Sequence, residues 1–270
     1  MASHGKVALV TGGGRGLGRA MALGLSRAGF RVAITAARNR DELEAVAREA
    51  TPVQIYPVIS AASRESDCAA LVREVQEQLG PVDVLVNNAG RGMRYVSERF
   101  MVEPTRFWET DPETWRMVID TNVNGPFFLA RAVTPGMIRR GWGRIINISM
   151  NHQTMRRRGF SPYGPSKAAL ESETIIWAQD LAGTGVTVNA LLPGGASLTG
   201  MIPNEVPSTL RQKLLTPEIM VPPLLWLVSD AANAVSGKRV NAALWDTGLD
   251  LGEAAAKACE PAGWGNAEPI

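Results

Sequence analysis

A short apolar run at residues 6–11 passes directly into Thr11-Gly12-Gly13-Gly14-Arg15-Gly16-Leu17-Gly18. A helical pattern carrying Leu17, Met21, Leu23 and Leu25 begins at once. A strand that turns this tightly into a helix reads as the opening half of a parallel βαβ unit. Glycine has no Cβ, so it reaches positive φ and lets the backbone approach a ligand closely. The free N–H groups at the helix start, together with the positive end of its dipole, then suit a pyrophosphate. Gly12, Arg15, Gly16, Leu17 and Gly18 are therefore candidates to bind a dinucleotide cofactor.

The remainder repeats the strand–helix alternation. Strands are expected at 31–36, 53–59, 82–86, 143–148 and 186–192, with a seventh, edge strand at 240–244. Helices are expected at 15–28, 41–50, 65–79, 115–138, 161–181 and 217–230. The run at 82–86 is continuous and β-branched, as a strand buried on both faces should be. This pattern predicts an α/β protein: a doubly wound, Rossmann-type parallel sheet in three layers, forming a single domain over residues 1–270. A less regular tail, rich in Ala, Gly and Pro, is expected from about Gly248.

Composition narrows the function classes. A net charge of only +2 offers no reason to expect nucleic acid or an anionic membrane as partner. Cys68 and Cys259 stand far apart and the chain has two histidines, so no metal site is expected. No apolar run approaches the roughly 20 residues needed to span a bilayer, and no signal-peptide core precedes Lys6. A cytoplasmic protein with free thiols is the expectation.

The end of the second strand is where the adenosine ribose is usually read. A carboxylate there suits the 2′-hydroxyl of NAD, whereas an arginine suits the 2′-phosphate of NADP. The chain offers Ala36-Ala37-Arg38, with Arg40 close behind and Asp41 placed to cap the next helix. NADP(H) is thus expected over NAD(H), with Arg38 and Arg15 as the residues that favour it.

Ser161-Pro162-Tyr163-Gly164-Pro165-Ser166-Lys167 opens a long helix, with Ser161 placed to cap it. Tyr163 and Lys167 are four apart and share one helical face. A phenol with a pKa near 10 is a poor acid–base catalyst at neutral pH. An ammonium ~4 Å away would contribute about 4 kcal/mol at an effective dielectric of 20, enough to bring that pKa down by roughly three units.

With Asn87-Asn88-Ala89-Gly90, Asp120-Thr121-Asn122-Val123 and Val188-Asn189-Ala190 running into Pro193-Gly194, the chain resembles the short-chain dehydrogenase/reductase family of the classical type. The resemblance extends from Lys6 to about Gly248. It implies hydride transfer between a nicotinamide and a carbonyl or alcohol, with Tyr163 exchanging a proton with the substrate oxygen. It also implies that Lys167 holds the nicotinamide ribose and Asn122 a relay water. Asn88, Ala89 and Gly90 would line the adenosine side, Pro193 and Gly194 would flank the nicotinamide, and Thr199 would hold the carboxamide or the pyrophosphate. A homodimer or homotetramer is implied as well.

One departure matters. About thirteen residues before the tyrosine the family places a serine hydroxyl that donates to the substrate carbonyl, and Met150 stands there in this chain. A thioether has no proton to donate. Ser149 is adjacent but should face the other way along a strand, so it serves as catalytic donor only if the strand end turns early. Asn151, His152 and Thr154 are further candidates. A shifted donor, a substrate that needs none (an enone or imine among them), and a cofactor sensor or scaffold without turnover all remain open. A second departure is Ser60-Ala61, where the family commonly has an aspartate that reads the adenine amine. Arginines in the loops at 91–94 and 156–158 either pair with an anionic substrate or, for Arg156–Arg158, serve as surface or subunit contacts.

Overall fold

The computed structural model describes residues 5–202, 212 and 214–263. Among them an eight-stranded sheet runs in the order β3-β2-β1-β4-β5-β6-β7-β8. Its strands are β1 (Val7–Val10), β2 (Arg31–Ala36), β3 (Ile55–Ile59), β4 (Val82–Asn87), β5 (Gly143–Ile148), β6 (Val186–Leu192), β7 (Lys238–Asn241) and β8 (Cys259–Pro261). The first seven pair in parallel, and β8 returns antiparallel to β7.

Alternation along β1 divides the core. Ala8 and Val10 pack on one face with Met21, Leu23 and Leu25 of α1 (Gly16–Arg27), Leu43 and Val46 of α2 (Arg40–Glu49), and other helices described below. Val7 and Leu9 pack on the other face with α3 (Glu65–Leu79) and α5 (Gly125–Arg140). The doubly wound, three-layered single domain read from the sequence is therefore present. The chain reverses its strand order between β1 and β4, so a crevice opens at their carboxyl ends, where open α/β sheets bind ligands.

Several expected elements change on inspection. The helix expected at 115–138 is two helices, α4 (Pro112–Ile119) and α5, joined by a π turn at Asp120–Asn124. At that junction a Cβ on Gly125 would lie 2.1 Å from the carbonyl oxygen of Ala62, so the helix start can approach the loop after β3 only as glycine. After the short α6 (His152–Met155), α7 covers Tyr163–Asp180 with Pro162 at its N-cap and no side-chain cap; Ser161 does not cap it. Asn39, not Asp41, caps α2 by accepting from the Glu42 N–H at 3.3 Å. The helix expected at 217–230 is a 3₁₀ turn, Pro217–Met220, followed by α8 (Val221–Leu227).

The C-terminal stretch is more regular than its composition suggests. The seventh strand begins earlier than expected and is not the edge. α9 (Leu251–Ala258), capped by Asp250, leads into β8, which covers β7.

Candidate active site

Thr11, just beyond β1, ties the glycine turn to the end of β4. Its hydroxyl oxygen accepts from the N–H groups of Asn88 and Ala89, both at 3.0 Å. The Asn88 amide returns hydrogen bonds to the carbonyls of Thr11 (2.8 Å) and Gly12 (3.1 Å). Gly12 has φ +66°, and a Cβ on Gly18 would sit 2.2 Å from the Gly12 oxygen, so the turn closes only with glycine at both positions. Arg15 adopts extended backbone at the N-cap of α1. Leu17 packs against the core beneath it. Thr199 lies over the turn, its methyl 3.1 Å from where a Gly16 Cβ would be.

The carboxyl end of β2 is free of carboxylates. A pocket opens there, lined by Gly12, Thr35, Ala36, Ala37, Ser60–Ser63, Ala89, Arg91 and Thr121. Of the two expected arginines, Arg15 makes a 3.7 Å ion pair with Glu42. Arg38 is exposed and makes no ion pair among the described residues. The small, hydroxyl-bearing lining fits the adenosine end of a dinucleotide, and the turn fits its phosphates.

Tyr163 is the first residue of α7, and its hydroxyl meets the sulfur of Met201 at 3.9 Å. Ser166 donates to the Tyr163 carbonyl (2.7 Å) and accepts from the Asn122 amide (2.9 Å). Asn122, fully buried in the π turn, also clasps the backbone of Arg91, accepting from its N–H at 2.8 Å and donating to its carbonyl at 3.0 Å. The structure thus gathers Tyr163, Lys167 and Asn122 around the first turns of α7, beside Gly90. Ser166 is the link that sequence reading missed, although a hydroxyl three residues after Tyr163 was in plain view.

The Tyr–Lys coupling does not take the expected form. Lys167 is buried and its ammonium donates to the Ile148 carbonyl at 2.7 Å, and no hydrogen bond joins it to Tyr163. Burial lowers the lysine pKa to about 8, opposed by the carboxylate of Glu171. Burial also pushes the phenol up to about 12.

Ser149 continues the line of β5, its N–H bonded to the Leu191 carbonyl at 2.9 Å. Its buried hydroxyl donates to Glu171, one turn beyond Lys167, and not toward Tyr163. Glu171 also accepts from Arg239 Nε (3.3 Å) and the Gly263 N–H (3.0 Å). Arg239 in turn donates to the Met150 carbonyl (2.8 Å) and pairs with Glu260 (2.7 Å). Three consecutive residues, Ile148, Ser149 and Met150, are therefore pinned by Lys167, Glu171 and Arg239. The Ser149 hydroxyl is directed to a buried carboxylate that the local sequence pattern does not reveal.

Two of the other candidate donors have partners of their own. Asn151 donates to the Gly194 carbonyl at 2.8 Å, which sets Pro193-Gly194 beside the Met150 turn. His152 Nδ1 lies 3.3 Å from Arg239. Among the loop arginines, Arg94 pairs with Glu98 at 2.8 Å, and Arg157 lies over the Phe160 ring. No helix among the described residues is long and apolar enough to cross a membrane.

Comparison with known proteins agrees with this geometry. Residues 6–209 match the family model for short chain dehydrogenases. The chain is 34% identical over 245 residues to an acetoacetyl-CoA reductase from Shinella zoogloeoides, covering 88% of this chain and 96% of that one. It is 31% identical to a 3-oxoacyl-(acyl-carrier-protein) reductase from Staphylococcus epidermidis, covering 87% and 96%. A metagenomic short-chain oxidoreductase solved in complex with NADP superposes with a TM-score of 0.74 at 28% identity, covering 89% of this chain and 97% of that one. With its glycine turn, its Tyr163–Lys167 helix and its doubly wound sheet, this chain belongs to the short-chain dehydrogenase/reductase family of oxidoreductases.

Proposed function

We propose that the protein is an NADPH-preferring reductase of a small-molecule carbonyl, with Tyr163 as the proton donor to the substrate oxygen. The observation that carries this reading is the cluster of Tyr163, Ser166, Asn122 and Lys167, set beside a phosphate turn whose ribose end lacks any carboxylate. Gly12, Gly16 and Gly18 receive the pyrophosphate, Arg38 the 2′-phosphate, and Asn88, Ala89 and Gly90 the adenosine side. Thr199, against Gly16, stands by the pyrophosphate, and Lys167 reaches the nicotinamide half, flanked by Pro193 and Gly194. When bound, the cofactor supplies the hydride. Tyr163 then gives its proton to the oxygen, and its pKa of about 12 keeps that proton in place at neutral pH.

Met150 leaves the substrate oxygen without a second hydroxyl donor, and Ser149 does not supply one. Retention of Tyr163, Lys167 and Asn122 together favours turnover over a sensing role. The relatives named above reduce 3-oxoacyl thioesters, so acetoacetyl-CoA heads the substrates to test, with neutral and carboxylated ketones beside it. In the assembly, exposed Ile176 on α7 marks where a second copy would bury apolar surface. The test is NADPH consumption across that panel by wild type and Tyr163→Phe. A fall of about a hundredfold or more in the variant supports the reading. NADPH binding without consumption on any carbonyl would overturn it in favour of a sensor.

A further inference from the structure

Arg91 stands apart from the other arginines of the site. Its backbone is clasped on both sides by the Asn122 amide. Its side chain is held as firmly: Nε donates to the Thr121 hydroxyl at 3.3 Å, and Cζ lies 4.6 Å from the centroid of the Tyr95 ring. Arg94 has Glu98 and Arg15 has Glu42, but Arg91 makes no ion pair among the described residues. The two terminal nitrogens of the guanidinium therefore keep their donors, on a group that cannot swing away.

That group lines the pocket at the ends of β2, β3 and β4, where every other lining residue is uncharged. The same wall carries Ser60-Ala61 in place of an acidic acceptor for the adenine amine. A pocket walled by alanines and hydroxyls, with one fixed planar cation, suits a flat heteroaromatic ring that presents acceptor nitrogens. A phosphate has its own candidate in Arg38, beyond the end of β2.

Resting on the dinucleotide-site reading above, we propose that Arg91 reads the adenine ring of the cofactor, donating to its N7 edge, so that base recognition rests on a donor rather than on an acidic acceptor. One consequence is unusual. Replacing the adenine amine by an oxygen, as in the hypoxanthine analogue, puts a proton on N1 at the far edge, leaves N7 an acceptor, removes a donor that no carboxylate here awaits and sets beside N7 an acceptor that Arg91 can use. The protein should bind deamino-NADPH at least as tightly as NADPH.

Dissociation constants measured by cofactor fluorescence test this without any substrate. Four ligands are compared: NADPH, NADH, deamino-NADPH and reduced nicotinamide mononucleotide, which has no adenosine. Arg91→Ala should weaken the first three together by about ten- to a hundredfold, as for a lost charge-assisted hydrogen bond. The mononucleotide should be unaffected. A loss shared by NADPH and deamino-NADPH that spares NADH would show that Arg91 meets the 2′-phosphate instead, and an unchanged affinity for all four would remove its role altogether. Either result overturns the proposal. Should Arg91→Ala fail to fold, wild type alone decides, because deamino-NADPH binding ten times more weakly than NADPH is incompatible with a donor-based site. Failure of wild type to bind any dinucleotide would instead defeat the site reading itself.

Discussion

Removing the Ser149 hydroxyl separates a structural role from a catalytic one. That hydroxyl is buried and donates to Glu171, whose carboxylate keeps Arg239 and the Gly263 N–H as further donors after the change. Ser149→Ala therefore removes one charge-assisted bond without orphaning the acceptor, a loss of about 1.5–3 kcal/mol. For a chain of 270 residues the unfolding entropy is roughly 0.57 kcal/mol/K, from about 2.1 cal/mol/K per residue. The melting temperature should fall by about 3–5 °C. Turnover should stay within about threefold of wild type, since the phenol of Tyr163 is untouched. Calorimetry and steady-state kinetics on the same preparations are the assay. A drop of a hundredfold in kcat with an unchanged melting temperature would refute the reasoning. It would mean that Ser149 leaves Glu171 to meet the substrate oxygen.

Three further outcomes follow from the same geometry. Lys167 has its pKa depressed from 10.5 to about 8, so the folded state binds fewer protons than the unfolded state between those values. Its contribution makes stability rise with pH across that window, while NADPH affinity, which needs the ammonium, should fall as pH rises through about 8. Lys167→Met should flatten both trends, and an affinity independent of pH in wild type would argue against a charged lysine at the ribose. Arg38→Ala should weaken NADPH by about ten- to a hundredfold and leave NADH within about twofold; equal losses for the two would reject the phosphate role. Met150→Ser restores a hydroxyl whose kind contributes about a hundred- to a thousandfold elsewhere. A rise of at least tenfold in kcat on ketones is expected, and no rise would mean that the substrate oxygen lies away from residue 150.

Much of the frame was readable from local pattern. The strands at 31–36, 143–148 and 186–192 and the helix at 65–79 fall where their continuous or periodic apolar residues place them. What was missed depends on partners distant in the chain. The direction of the Ser149 hydroxyl is set by Glu171 and, through it, by Arg239, which no local periodicity links to β5. Glu171 itself was accessible, since it stands four residues after Lys167 on the same helical face. The π turn escaped notice because apolar spacing runs on across it, while the close approach of Gly125 to Ala62 at its end is tertiary. The helix after Gly248 was hidden by composition, although Asp250 followed three residues later by Glu253 is a helix-start signal, and the Asp250 carboxylate accepts from the N–H groups of Gly252 and Glu253.

The hydrogen bond from Gly263 to Glu171 spans 92 residues of sequence. On a ribosome adding about 5–20 residues per second, the last donor to that carboxylate emerges roughly 5–20 seconds after the glutamate itself. Throughout that interval the nascent chain already contains every strand from β1 to β5, and soon β6, yet the acid beneath Lys167 waits 68 residues for the arginine of β7 and the full 92 for the amide beyond β8. The nucleotide half can therefore form early, whereas the wall behind Tyr163 closes only when β8 is laid down.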